Sequence, residues 1–246
     1  MVLASQLVGT VVALALAVLR GESMPSTADL GWSVVGGLSG GIGISALYQG
    51  LAVGRMGIVA PITGVIAALI PVAVGIVLEG LPAPLVLVGI AVAFVAVVLV
   101  SRVSDDREGR SGVGLALLAG VAIGSLGVAI AQLSDGHVFG PLTVLRATEA
   151  LLVGAIIVVG RRPWRPERRL WPALAGVGLM DMCGNGAFIL AVQAGSLAVA
   201  AVLSSLYPVT TVVLASIILR ERVTRIHAAG IILAVVAIAC IAVGSS

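Results

Sequence analysis

Apolar residues run along this chain in blocks of about twenty, separated by short polar stretches, with no sustained alternation of apolar and polar positions. A helix that is apolar all round needs a buried or lipid environment, and about twenty residues at 1.5 Å each cross a bilayer core. The blocks predict nine membrane-spanning helices: Val2–Leu19, Gly31–Val53, Gly57–Leu78, Ala83–Ser101, Val113–Leu133, Leu142–Gly160, Pro172–Gln193, Leu197–Leu219 and Ile226–Val243. They take up most of the 246 residues and leave no room for a soluble catalytic domain. The expected fold class is an all-α polytopic membrane protein, multi-pass in a plasma or inner membrane.

Composition agrees. Hydrophobic residues make up 60% and charged residues 10% of the chain, more apolar surface than a globule can hide from water. The first apolar block has no basic residue before it, which argues against a secretory signal. Cys183 and Cys240 both fall inside predicted spans, so neither a disulfide framework nor a metal site is expected. The basic residues are arginines confined largely to loops, which points to membrane topology rather than to nucleic acid. No Walker motif, HExxH, Gly-x-Ser-x-Gly or paired cysteine ligands occur, so no cofactor, ATP site or enzymatic activity is expected.

Shifting the sequence by 141 positions lays one half on the other. GLAVGRMGIVAPI (50–62) then falls on AVQAGSLAVAAVL (191–203), with Gly54 on Gly195 and Ala60 on Ala201. VGIAVAFVAVVLVS (88–101) falls on AGIILAVVAIACIA (229–242), with Gly89 on Gly230. Ser5–Leu19 overlays Arg146–Gly160. The register predicts a first repeat at 1–101 with four helices, a charged cytoplasmic linker at 102–112 and a second repeat at 113–244 with five.

Charge gives the two repeats opposite orientations. RRPWRPERRLW, after the sixth span, carries five arginines, whereas its counterpart RGESMPSTADL carries one and two acids. Arginine-rich short loops stay in the cytoplasm. Placing Arg55, Arg102, Arg107, Arg110, Arg161–Arg169 and Arg220–Arg225 inside puts twelve arginines on one side and only Arg20 on the other. The expected arrangement is an inverted-topology repeat with Met1 inside and Ser246 outside, an architecture that puts a transporter's site near the midplane between the repeats.

SSLYPVTTVVLASIILRERVTRIHAAGIILAVVAI (204–238) resembles the last two helices of the EamA-type drug/metabolite transporter family, where a Tyr-Pro helix ends in a Glu and a Gly opens the closing helix. ISALYQGLAVGRMGIVAPI and PVAVGIVLEGLPAPLVLVGIAVAFVAVVLVS resemble the same pattern in the first half, and PLTVLRATEALLV resembles the family's Pro-x4-Arg entry to a repeat. The resemblance implies two five-helix repeats and secondary transport of a small organic metabolite or drug, outward and driven by an ion or substrate gradient. Against that pattern the first repeat lacks a counterpart of Val113–Leu133, the first of ten helices. The alternative is therefore a non-transporting or partner-dependent protein derived by N-terminal truncation, in which a homodimer or another chain supplies a helix.

Ionisable side chains within lipid are functional candidates by default, because each costs about 2.5–3.5 kcal/mol or more at mid-depth. Arg146 and Glu149 are three apart and Asp181 and Asn185 four apart, so each pair shares a helix face. Counting rise from the cytoplasmic ends puts Glu149 and Asp181 at one depth, with Arg146 and Asn185 a turn beyond. Asp181 and Glu149 are candidates for binding a cationic or zwitterionic substrate or for carrying a proton; Arg146 is the charge-pair or structural partner, and the contrasting reading is a cluster that only fixes packing. Asn185, Tyr207, Tyr48 and Gln49 complete the candidate substrate-binding set. Pro208, Pro61 and Pro71 are candidate hinges, since a proline inside a span frees a carbonyl. Glu221 and Glu79 end their helices and are expected to be structural or charge-paired. The glycines of GGLSGGIGISA (36–46) are expected to serve close helix packing rather than nucleotide binding, and His137 to be a loop residue.

Overall fold

The computed structural model describes residues 2–54, 56–100, 112–161, 167–206 and 225–244, and within them every regular element is helical. The helices are α1 (Val2–Arg20), α2 (Thr27–Val53), α3 (Met56–Glu79), α4 (Pro84–Val100), α5 (Val113–Ala131), α6 (Phe139–Val159), α7 (Trp171–Ala194), α8 (Leu197–Ser205) and α9 (Arg225–Gly244), with a 3₁₀ turn at Arg168–Leu170. Six helical stretches are long and apolar enough to cross a membrane: Val2–Arg20, Thr27–Val53, Ile62–Glu79, Val113–Ala131, Phe139–Val159 and Trp171–Ala194. Pro84–Leu99 and Ala228–Gly244 are shorter apolar helices. Tyr207, Pro208 and Glu221 lie outside the described residues.

Two helices start three or four residues earlier than hydrophobicity alone predicts, and polar capping explains both. Ahead of α2, the Ser26 hydroxyl accepts the Asp29 N–H at 3.1 Å, while Asp29 Oδ2 accepts the Ser26 N–H at 3.2 Å and hydroxyl at 2.8 Å. This reciprocal capping box starts the helix at Thr27 instead of Gly31. Helix α6 begins at Phe139 instead of Leu142, with Glu22 accepting from its first amides.

The chain forms two compact units, each drawing helices from both halves of the sequence. Unit 1 comprises Met1–Ser45 and Ser125–Ala194: α1, the first part of α2, the end of α5, α6 and α7. Small residues set its packing. Gly154 of α6 lies near Leu3 while Gly9 lies near Arg146, so α1 and α6 run antiparallel. Along the other side of α6, Leu145, Thr148, Glu149 and Leu152 press on Gly36, Gly37, Gly40 and Gly41 of α2. A side chain at Gly37 or Gly41 would collide with α6, which is the close backbone approach that small-xxx-small spacing permits. Ala13, Leu142, Leu145, Met182 and Ile189 fill the apolar core beside these contacts.

Unit 2 comprises Ala46–Gly124 and Gly195–Ser246. There α4 and α9 pack antiparallel, with Gly89 against Ala237, Cys240 and Ile241 and Gly244 against Val86. Gly75 of α3 meets Ala198 of α8. Helix α3 runs unbroken through Pro61 and Pro71. Pro71 cannot donate to the Ala67 carbonyl, and that carbonyl instead faces Gly124 of α5, whose lack of a side chain lets the helix come against it. The nearby Thr63 hydroxyl donates to the Ala116 carbonyl at 3.2 Å rather than to a carbonyl of its own helix.

Candidate functional site

The site lies within unit 1, and α6 supplies its centre. Arg146 and Glu149, one turn apart, both point into the bundle and are 1% and 4% exposed. Arg146 Nη1 donates to Glu149 Oε2 at 3.0 Å and to Asp181 Oδ2 of α7 at 2.5 Å. It also donates to Gln6 Oε1 of α1 at 2.7 Å. Three helices therefore converge on one nitrogen. Asn185 stays on its own helix, its amide donating to the Asp181 carbonyl at 3.1 Å and to Oδ1 at 3.5 Å.

The depth count from sequence places Arg146 a turn beyond the carboxylates; in the structure its guanidinium meets both, since side chains lean toward the N-terminus of their helix and the Glu149 carboxylate comes back over Arg146. Around this point, close backbone approach at glycines supplies the space. A methyl group at Gly178 would collide with the Ser5 carbonyl, and one at Gly40 would overlap a carboxylate oxygen of Glu149. Gly40 is the position that the 141-residue shift lays on Asp181.

Electrostatically the cluster is incomplete. One guanidinium faces two carboxylates, leaving a formal charge of −1 when all three are ionised. An Nη1 group carries two hydrogens, so three acceptors compete for them. Arg146 Nε and Nη2 are buried without a partner among the described residues. Asp181 is the accessible member, its side chain 49% exposed, whereas Glu149 is closed off. A buried charge left without its partner costs about 3–5 kcal/mol, so Glu149 depends on Arg146 to stay ionised, whereas half-exposed Asp181 does so less. The arrangement can hold a cation or a proton at Asp181 in exchange for part of the arginine's attention.

Tyr48 and Gln49 are exposed and, like Pro71 and Glu79, belong to unit 2. Glu79 accepts the Leu197 N–H of α8 at 3.0 Å, a helix-capping bond. Three contributors were not singled out from sequence. Gln6 was visible as a lone amide in the first apolar block, whereas Glu22 and Asp29 stand in or beside a loop where polar residues attract no notice. His137 bonds the Ser23 hydroxyl through Nε2 at 2.8 Å. No group of three potential metal ligands occurs among the described residues.

Comparison with known proteins follows the same direction. The sequence profile described as the EamA-like transporter family matches residues 110–243. A crystal structure of a protein superposes with a TM-score of 0.75 at 19% identity, covering 99% of this chain and 84% of that one, a likeness of fold. No curated protein matches. The chain is a multi-pass membrane protein of secondary-transporter type, with a transport rather than an enzymatic role. With more than half its length matched by the profile, it belongs to the EamA-like transporter family.

Proposed function

We propose that the protein exports a small organic metabolite or drug across the inner membrane, driven by an ion or substrate gradient, by alternating access between two inverted repeats of four and five helices. The observation that carries this reading is the Arg146–Glu149–Asp181 cluster: a buried cation with one closed and one half-exposed carboxylate. Asp181 takes a cationic or zwitterionic substrate or the coupling proton, and Glu149 holds Arg146 in place as Asp181 exchanges partners. The inverted repeat is supported by two antiparallel pairs of equivalent helices, α1 with α6 and α4 with α9. It is supported too by similar close contacts one residue apart in register, Gly37 on the Leu145 carbonyl and its equivalent Gly178 on the Ser5 carbonyl.

A thermal-shift screen in detergent tests the site, using amino acids, sugars, nucleobases and cationic dyes at two pH values. A compound that stabilises the wild type but not Asp181→Asn or Glu149→Gln supports the reading. A compound that stabilises all three equally places binding elsewhere.

A second reading has its own observation. Gly36 and Gly40 of α2 are covered by Leu126 of α5, but their equivalents on α7, Val177 and Asp181, are exposed, as is neighbouring Met180. In that reading a partner chain or second copy covers α7, and transport needs the assembly. Silence across the screen from a folded sample favours it.

A further inference from the structure

Helix α6, which carries Arg146 and Glu149, begins without a cap of its own. Its N-cap residue is Val138, whose side chain can accept no hydrogen bond. The first amides of a helix have no partner within it and must find one elsewhere. Here Glu22, from the turn after α1, provides it. Glu22 Oε1 accepts from Val138 N at 3.4 Å and Phe139 N at 3.2 Å, and Oε2 from Phe139 N at 2.9 Å and Gly140 N at 2.8 Å. Pro141 has no N–H, and the Leu142 N–H opens the regular ladder to the Val138 carbonyl at 3.2 Å. Every backbone donor at the start of α6 is thereby accounted for, and a carboxylate sits at the positive end of the helix dipole.

Glu22 is itself fixed. Gly21, at φ +63°, turns the end of α1 through the left-handed region. The Glu22 N–H donates to the Ala17 carbonyl at 3.0 Å and the Gly21 N–H to Val18 at 3.1 Å, the paired bonds of a Schellman motif. Beside it, the Arg20 guanidinium lies 5.2 Å from the centre of the Phe139 ring, and Pro25 packs where Gly140 leaves space. The end of α1 and the start of α6 are thus joined through one rigidly presented side chain. From Phe139 to Arg146 is seven residues, two helical turns, so rotation or sliding of α6 at its first turn is passed directly to the guanidinium.

We infer that Glu22 is a positioning residue for the transport site: by holding the first turn of α6 on the end of α1, it sets the depth and rotation at which Arg146 meets Gln6 and Asp181. The inference rests on the Arg146 cluster being the transport site. Unit 2 contains an internal control. Helix α8 also lacks a side-chain cap, its Ser196 making none, and Glu79 takes the Leu197 N–H in the same way.

The test needs no substrate, so its outcome is independent of whether transport has been found. Spin labels at Val11→Cys and Leu151→Cys, both exposed positions on α1 and α6, report the α1–α6 geometry in nanodiscs after Cys183→Ser and Cys240→Ser. Hydrogen exchange reports the α6 amides. Glu22→Ala should speed exchange at Phe139 and Gly140 by about tenfold or more, the loss of charge-assisted hydrogen bonds, and broaden or shift the α1–α6 distance distribution. Glu22→Gln, which keeps one acceptor oxygen and covers the case in which the alanine variant does not fold, should give intermediate values in both. Glu79→Ala should leave the distribution as in the parent. Faster exchange with an unchanged distribution would reduce Glu22 to a local cap and overturn the inference, as would an unchanged exchange rate.

Discussion

Buried polar groups divide unevenly between the two units. Among the described residues, unit 1 encloses Gln6, Asp29, Ser33, Arg146 and Glu149, whereas unit 2 encloses only the hydroxyls of Thr63 and Ser205. The described interior of unit 2 is otherwise apolar, with Val72, Ile90, Val97, Val202 and Ile241 packed through alanines and glycines. Both units use the same packing device, a glycine that admits a neighbouring helix, but they set different groups against it. Gly89 admits the aliphatic face of α9, while Gly40 admits a carboxylate. Among the described residues the buried ionic groups therefore lie in unit 1, and the 141-residue shift of the sequence sets Ser5 and Gly40 on Arg146 and Asp181.

Removing Arg146 should break this contrast most severely. Arg146→Met leaves two acids facing each other without a cation, at a cost of about 3–5 kcal/mol, read as loss of monodisperse protein or a large fall in Tm. Adding Glu149→Gln and Asp181→Asn to that variant should recover most of the loss. An isolated packing role for Arg146 predicts no recovery.

Next in size is Gly40→Ala, expected to cost about 1–3 kcal/mol by overpacking. Its cost should shrink in a Glu149→Ala background, because the collision is with that carboxylate. Gly89→Ala in unit 2 meets Ile241 and the Ala237 carbonyl, so Glu149→Ala should leave its cost unchanged. Thermal melts of the three single and two double variants in one detergent decide between coupling and its absence.

Gln6→Leu should come third, at about 1–2 kcal/mol, since it removes one neutral acceptor from a charged donor that keeps two others. Thr63→Val in unit 2 should cost least, about 0.5–1.5 kcal/mol, for one hydroxyl bond to the Ala116 carbonyl. A reversal of these two would remove the distinction between an ionic unit and an aliphatic one.

What the sequence made legible follows the range of the physics involved. Arg146 and Glu149 could be placed on one face because a helix repeats every 3.6 residues, and Asp181 could be matched to their depth by counting rise from loop ends. Span positions were readable because lipid demands a long apolar run; Val2–Arg20 ends one residue from its predicted limit. Helix starts were less so. Thr27 opens α2 through Ser26 and Asp29, polar residues that a hydrophobicity count assigns to a loop. Glu22 was unreadable in its role, because its partners are backbone amides 116 to 118 residues away and backbone amides leave no trace in sequence. Gln6 lay between these cases: an amide in an apolar block signals a buried partner, but not which helix holds it.

The most direct test of the central claim is counterflow in proteoliposomes, using a compound that stabilises the protein in the screen. Asp181→Asn and Thr63→Val are compared at equal reconstituted amounts. The account predicts that Thr63→Val exchanges the compound at close to the wild-type rate while Asp181→Asn loses exchange at least tenfold. Wild-type exchange by Asp181→Asn would contradict it and move the transport site out of the Arg146 cluster.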